Sequence, residues 1–390
     1  MIYSMAATTA LSIDERVDLV TRNTEEVLTV DELRELLATE PALRHYIGFE
    51  ISGRIHLGTG LVCMAKLRDF TKAGISCTVF LADWHTWINE KLDDDRNTIR
   101  SLARDYFQEG LVAAYRAVGG REEDLTFLLG SDLYTSTSDY WSCVVDVSKH
   151  TTLARMQRSI TILGRQEGAN VDFAKLIYPA MQAADIFAQG VHLAHAGIDQ
   201  RKAHVIARDV ALQLRMLPLR TVSGKQIKPM AVHHPLLLGL KKPPVWPIPD
   251  DGDARDVIAS MKMSKSDPQS AVFIDDDPDT IRKKVRKAFC PPGEAAYNPV
   301  LNWWKTLVFS ETAEPVTIPR TPENGGPISF ASYGELEAAY LDEKLHPLDA
   351  KDALATILID QLEPAREYLA SSSRFQEAKV RMEAILTSRG

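Results

Sequence analysis

The chain has 390 residues, and its 45 Lys plus Arg against 53 Asp plus Glu leave a formal net charge of −8; at about 150 residues per domain this predicts two or three domains. A composition 45% hydrophobic and 25% charged is that of an ordinary globular enzyme and excludes collagen-like, low-complexity and wholly disordered chains. The mild acidity argues against a dedicated DNA-coating protein but leaves room for an RNA partner at a local basic patch.

The N-terminal stretch reads as helical. Ser12-Ile13-Asp14-Glu15 and Thr29-Val30-Asp31-Glu32 each fit a capping box, in which a hydroxyl and a carboxylate satisfy free backbone N–H groups at a helix start. His45–Glu50 is the first strong strand signal. Gly53, Gly58 and Gly60 follow it, and an apolar helical pattern runs from Leu61 to Phe70. A second strand covers Cys77–Asp83, residues 91–123 read as helix, and Leu125–Gly130 is a third strand. Strands alternating with helices imply a parallel α/β sheet with right-handed crossovers. Residues 139–170 look mostly helical, and 176–210 mix sheet and helix. Residues 241–256 read as a linker, with Pro243, Pro244, Pro247 and Pro249. Asp277-Pro278-Asp279 starts a helix that Cys290-Pro291-Pro292-Gly293 stops, and the remainder is helix-rich. Cys63, Cys77, Cys143 and Cys290 form no CxxC pair and read as reduced thiols, not as a disulfide frame or zinc site. The apolar run nearest to a membrane helix, Pro235–Leu240, is far short of the ~18 residues one needs. The first 15 residues carry no targeting pattern, so a cytoplasmic chain without membrane partners is expected.

Two short stretches carry chemistry. His56-Leu57-Gly58-Thr59-Gly60 lies past a strand and before a helix, where backbone N–H groups favour an anion such as phosphate. Lys262-Met263-Ser264-Lys265-Ser266 follows the Pro-rich linker; its two lysines suit a mobile loop that closes on a polyphosphate. Each alone has a plainer reading, as a Gly-rich connector and a solvated basic loop. Together, in this order about 200 residues apart, they are specific. No GxGxxG, GxxxxGK[ST] or HExxH pattern supports a dehydrogenase, a P-loop NTPase or a zinc protease.

The pair resembles the HIGH and KMSKS signatures of class I aminoacyl-tRNA synthetases. KMSKS matches at all five positions. HIGH matches at His56 and Gly58, with Leu57 for Ile and Thr59 for the second His. Tyr46–Gly53, Tyr178–Ile186, Gly197–Lys202, Ala288–Gly293 and Leu345–Asp349 narrow the likeness to tyrosyl-tRNA synthetases of the archaeal and eukaryotic cytosolic type.

The resemblance implies an α/β protein with an N-terminal helical extension at 1–40 and a Rossmann-like parallel-sheet catalytic domain at 41–256. A helical insertion falls at about 88–170, a KMSKS loop at 257–275, and a mostly helical anticodon-binding domain at 276–390. The implied activity is ATP-dependent conversion of L-tyrosine to tyrosyl-adenylate and transfer to tRNA(Tyr). Mg²⁺ would accompany ATP, no protein metal site is implied, and close relatives are homodimers through the insertion. Tyr46 and Asp185 match residues that hold the substrate phenol. Tyr178, Gln182 and Gln200 match groups at its ammonium and ring edge, and His85 a lining position. Gly48, Glu50, His56, Gly58, Gly197, Asp199, Lys262, Met263, Ser264 and Lys265 match the ATP site. Within that set Gly197 and Asp199 fall at the ribose, Met263 near the adenine edge, and His56, Lys262 and Lys265 are the catalytic groups. Arg158, Arg201 and Lys202 match positions that read the first acceptor base pair, and His346 and Asp349 an anticodon-reading corner. Asn324 stands where some archaeal members carry a stacking aromatic residue. Arg282, Lys283, Lys284, Arg286 and Lys287 form a basic helix that suits RNA or simply solvent.

Three rivals are kept. A tryptophanyl-tRNA synthetase shares both motifs, but an indole offers no hydroxyl to Asp185. A non-tRNA nucleotidyltransferase shares the HxGH-type site but not the C-terminal region. A catalytically idle paralogue that binds RNA has only Thr59 in its favour.

Overall fold

The computed structural model describes residues 11–165, 170–248, 257, 261–265 and 267–389. At its centre is a six-stranded sheet in the order β1-β6-β5-β2-β3-β4. The strands are β1 (Glu26–Leu28), β2 (Leu43–Phe49), β3 (Ile75–Leu81), β4 (Leu125–Leu129), β5 (Leu193–Gly197) and β6 (Met230–His234). Strands β2 to β6 pair in parallel, as in Leu43 opposite Ile75, His45 opposite Leu193 and Leu193 opposite Met230. The chain moves outward from β2 through β3 to β4, then returns to the other side of β2 with β5 and β6. Connections leaving β2 and β5 therefore diverge, and a crevice opens at their C-terminal ends.

The N-terminal stretch is not all helix. Helices Ile13–Thr21 and Val30–Thr39 form as the caps predict, but β1 lies between them and pairs antiparallel with β6, Glu26 opposite His233. Three residues are too few for an alternating pattern, so only the tertiary partner defines this strand. The Ser12 capping box is complete: its hydroxyl accepts from Glu15 N–H at 3.2 Å, and the Glu15 carboxylate accepts from Ser12 N–H at 2.7 Å. At the second site Thr29 accepts from Glu32 N–H at 3.3 Å, but the Glu32 carboxylate pairs with Arg208 at 2.8 Å. Strand β6 escaped the sequence reading. All five of its residues are buried, as are those of β5, because helices cover both faces; no polar alternation marks such strands.

Beyond β2 the chain enters a π-helical turn at Gly58–Val62 and then helix Cys63–Lys72. The helix predicted over 91–123 is continuous only from Arg96 to Ala117, with Asp95 as its N-cap. Helices Tyr140–Lys149 and Leu153–Ser159 both pack against helix Phe173–Ala188. The linker stretch is described only to residue 248 and holds no helix or strand there.

Helix Pro278–Lys287 starts as expected, with Asp277 accepting from Thr280 N–H at 2.8 Å. Helices Pro299–Trp303, Tyr333–Leu341, Pro347–Ser371 and Ser373–Arg389 follow. A hairpin of Val316–Ile318 and Ile328–Phe330, absent from the sequence reading, interrupts them. One hydrophobic cluster runs from Val17 through Ile47 and Val79 to Trp304, Leu354 and Met382, so the C-terminal helices share the core of the sheet. Trp303 Nε1 donates to the Leu238 carbonyl at 2.8 Å and fastens the two. A second cluster, with Tyr46, Phe80, Tyr140 and Ile206, fills the other face. Among the described residues no helix is long and apolar enough to cross a membrane. All four cysteines are free.

Candidate active site

A cavity of about 530 Å³ opens at the C-terminal ends of β2, β5 and β6. Both signature motifs reach it. Strand β2 delivers Tyr46, Gly48 and Glu50; the turn after it delivers His56 and Gly58; the segment after β5 delivers Asp199 and Gln200. Lys262, Met263, Ser264 and Lys265 close it from one side, and Leu386 of the C-terminal helix lies on its wall. Ser266 lies outside the described residues. Arg54 Nη2 pairs with Asp275 (2.5 Å) and Asp276 (3.0 Å), and Lys379 pairs with Asp275 at 2.7 Å, anchoring the segment just past the lysines.

One end of the cavity is aromatic and deep. Asp185, 1% exposed, sits on helix Phe173–Ala188. Its Oδ1 accepts from the Tyr140 hydroxyl at 2.9 Å, and His85 Nε2 lies 3.6 Å from its Oδ2. Burial drives this carboxyl well above the usual range, against the hydrogen bonds from Tyr140 and Tyr134 that favour its ionised form. Burial also lowers His85 to about 3, so its ring is neutral. His85 Nδ1 is 3.3 Å from the Tyr134 hydroxyl, while Nε2 has no hydrogen-bond partner. The Tyr46 ring meets Phe80 edge-on at 6.0 Å. Gln182 Nε2 donates to Gln200 Oε1 at 3.4 Å, and Gln200 Nε2 donates to the Ile162 carbonyl at 3.0 Å. Gln182 Oε1 is buried without a partner, a free acceptor in the cavity wall. Glu50, also in the cavity wall, accepts from Tyr178 Oη at 2.9 Å and Asn89 Nδ2 at 2.8 Å, both at Oε1.

The other end is polar. His56 is buried; its Nδ1 accepts from Thr59 N–H at 3.3 Å, and the Thr59 hydroxyl is 3.5 Å from Nε2. Burial, then Lys265 and Lys262, push this imidazole well below its usual range, so it serves as a neutral donor. Gly58 lies against the ring: a Cβ there would stand 3.1 Å from His56 Cε1. Lys265 Nζ donates to Ser52 Oγ at 2.9 Å, and burial lowers its ammonium to about 8. Lys262 Nζ pairs with Asp199 Oδ2 at 2.5 Å. Burial acts to raise the Asp199 carboxyl, but Lys262 outweighs it and holds the group below the usual range. A Cβ on Gly197 would fall 2.6 Å from Asp199 Oδ1, so glycine lets the strand end approach this carboxylate. Met263 is buried and donates its N–H to the Leu237 carbonyl at 2.9 Å.

A phosphate-suited turn and a two-lysine loop thus face each other across one cavity with a phenol-rich floor. A model of the family described as tRNA synthetases class I (W and Y) matches residues 38–363. The chain belongs to this family. It is 54% identical over 359 residues to the tyrosine--tRNA ligase of Thermococcus sibiricus, covering 92% of this chain and 95% of that one. The tyrosine--tRNA ligase of Pyrococcus furiosus shows the same identity and coverage. Among solved structures, the tyrosyl-tRNA synthetase of Pyrococcus horikoshii complexed with L-tyrosine superimposes with a TM-score of 0.91 at 50% identity, covering 96% of this chain and all of that one.

Elsewhere on the synthetase the predicted RNA-facing residues divide. Lys202 Nζ donates to the Arg158 carbonyl at 2.9 Å, which brings these two exposed cations together. Arg201 is turned to Glu26 of β1, Nε to Oε2 at 2.8 Å. His346 is the N-cap of helix Pro347–Ser371, its Nδ1 accepting from Leu348 N–H at 3.2 Å, and Asp349 lies in that helix's first turn. The basic helix is partly structural, a correction to the sequence reading. Lys284 turns inward to Asp276 (2.7 Å) and the Ala271 carbonyl (2.9 Å), leaving Arg282, Lys283, Arg286 and Lys287 exposed.

The sequence reading missed Tyr134, Tyr140, Asn89, Cys63, His195 and His234. Tyr134 and Tyr140 reach Asp185 from helices Gly130–Ser136 and Tyr140–Lys149; nothing in their spacing announces that. Among the described residues no three His, Cys, Asp or Glu side chains form a metal cage.

Proposed function

We propose that this class I synthetase activates L-tyrosine with ATP and transfers the tyrosyl group to tRNA(Tyr). The observation that carries the amino-acid choice is Asp185 at the floor of the cavity, with His85 Nε2 unpartnered 3.6 Å from it and the Tyr46 ring beside them. A phenol hydroxyl suits this floor, because it donates to the carboxylate and accepts from the imidazole at once. Phenylalanine would leave Asp185 Oδ2 and His85 Nε2 without that partner, and an indole N–H can donate but not accept. Gln182 Oε1 is a free acceptor for the substrate ammonium, and Tyr178 and Gln200 border the same space.

The tyrosine carboxylate attacks the α-phosphorus of ATP in line, and pyrophosphate leaves. The nucleophile is ionised at neutral pH, so no general base is needed. Catalysis is positioning plus stabilisation of phosphate charge. His56 offers a neutral N–H, and Lys262 and Lys265 offer positive charge. Both lysines now rest on protein oxygens, Asp199 and Ser52. Exchanging these for phosphate oxygens as charge builds makes their contribution greatest in the transition state. Gly48, Gly58 and Gly197 leave room for the nucleotide, Asp199 accepts from ribose hydroxyls, and Met263 with Ser264 borders the base and phosphates. Mg²⁺ would arrive on the phosphates of ATP and offset their charge. In the second step a hydroxyl of the 3′-terminal adenosine of the tRNA attacks the tyrosyl carbonyl of the adenylate, the acyl–phosphate bond breaks and AMP leaves. Arg158, Arg201 and Lys202 serve its acceptor end, and His346 and Asp349 its anticodon.

The exposed Trp87, Trp141 and Val145 of the insertion side support a homodimer through that face. Such an enzyme would work in the cytoplasm. The deciding experiment is amino-acid-dependent ATP–pyrophosphate exchange with tyrosine, tryptophan and phenylalanine in parallel. Exchange with tyrosine alone is expected. Exchange with tryptophan, or none from folded protein, overturns the reading.

A further inference from the structure

We propose that His234 is a nucleotide-binding residue whose ring Nε2–H donates to a ribose oxygen of ATP, opposite the Asp199 carboxylate. This rests on reading the polar end of the cavity as the ATP site.

His234 ends β6 and lies on the cavity wall. Its Nδ1 is 2.9 Å from His195 Nε2, a contact in which one nitrogen must donate and the other accept. The other His195 nitrogen, Nδ1, is buried with no partner. If His195 carried its proton on Nδ1, a buried N–H would be left unsatisfied, a rarer and costlier state than a bare lone pair. The proton therefore sits on His195 Nε2 and is donated to His234 Nδ1. His234, neutral because burial lowers it to about 4, then carries its own proton on Nε2, facing the cavity.

That N–H now points to Cys63 Sγ at 3.6 Å, while the Cys63 thiol donates onward to the Gly58 carbonyl at 3.3 Å. A thiol sulfur is a weak acceptor, so an oxygen ligand displaces it at little cost. The space beside it is kept open by Gly197. A Cβ there would stand 2.6 Å from Asp199 Oδ1 and 3.4 Å from His234 Nε2. An acceptor-only carboxylate and a donor N–H thus border one gap at the end of β5. A ribose diol matches them, since each hydroxyl can donate to Asp199 and accept from His234. With Thr59 in place of a second imidazole in the preceding turn, His234 supplies a second neutral ring N–H to this end of the cavity.

The test compares His234→Gln, His234→Asn and His234→Leu by tyrosine-dependent pyrophosphate exchange with ATP, 2′-deoxyATP and 3′-deoxyATP. Glutamine carries an amide N–H to about the place of Nε2; asparagine reaches only as far as Nδ1. His234→Asn and His234→Leu should raise KM for ATP about tenfold, with KM for tyrosine unchanged, and should lose most of the preference for ATP over the deoxy analogue that lacks the contacted oxygen. His234→Gln should keep that preference. Unchanged KM and unchanged ribose preference in the asparagine and leucine variants would overturn the proposal. So would equal impairment of all three variants with a common fall in melting temperature, which marks a packing role. ATP binding measured by calorimetry without tyrosine separates this inference from its parent. A wild-type chain inert in exchange whose ATP affinity still depends on His234 sinks the activity assignment and leaves this contact standing.

Discussion

Tyr140 places its hydroxyl 2.9 Å from Asp185 Oδ1, joining helix Tyr140–Lys149 to the floor of the cavity across 45 residues of chain. The bond favours the ionised carboxyl that burial opposes. Tyr140→Phe therefore makes Asp185 harder to ionise and a poorer acceptor for a substrate phenol. The expected outcome is a rise of about tenfold in KM for tyrosine with KM for ATP unchanged, against a loss of about 100-fold in kcat/KM for Asp185→Asn. Exchange kinetics on both variants check this; equal KM in Tyr140→Phe and wild type would remove Tyr140 from the site.

Lys265 supplies a pH test of the phosphate reading. Burial lowers its ammonium to about 8, so above that pH the free enzyme loses the charge meant for the phosphates. A plot of kcat/KM for ATP should fall on its alkaline limb near pH 8. Lys265→Arg, permanently charged, should move that limb beyond pH 9, whereas Lys265→Met should lose about 100-fold below pH 8, lack the limb, and approach the wild type above it. An alkaline limb at the same place in Lys265→Arg would assign it to another group.

Acid stability follows from the buried imidazoles. Burial lowers His45 and His85 to about 3 and His192 and His234 to about 4, against an unfolded value near 6.5. Below pH 6.5 the unfolded chain takes up protons that the folded chain refuses. Stability is thus whole above pH 6.5 and falls as pH drops toward 4, by up to about 1.4 kcal/mol per pH unit for each histidine. Urea midpoints from pH 7.5 to 4.5 should drop steeply over the lower half of the range. Midpoints flat down to pH 5 would mean that these rings are hydrated.

The exposed face of the insertion predicts assembly. Trp141 is 44% and Val145 67% exposed on one helix, four residues apart, and the Trp84 ring lies tilted against Trp141 at 5.6 Å. The double substitution Trp141→Glu and Val145→Glu should halve the mass measured by light scattering, with the melting temperature read alongside. An unchanged dimer mass would move the interface elsewhere, and a wild-type monomer would remove it.

Much of the fold was legible in the residues themselves. Strands β2, β3 and β4, the Ser12 and Asp277 caps, and the helix after the His56 turn follow from local rules: apolar runs, side-chain caps and glycine breaks act within a few residues. Strands β1 and β6 were not legible. One is three residues long, and the other is buried on both faces, so neither shows a period.

The site divides along the same line. The His56 turn and the Lys262–Lys265 stretch each concentrate their chemistry within five consecutive residues, so the sequence by itself determined which groups they offer and why those groups suit an anion. Only the tertiary structure decided that Lys262 meets Asp199, that Glu50 meets Tyr178, and that Lys284 turns inward to Asp276. It also decided that Tyr140 meets Asp185 and that His195 orients His234. Backbone-local motifs are written in adjacent residues, whereas a buried polar group takes whichever partner the packing of distant elements brings within 3 Å.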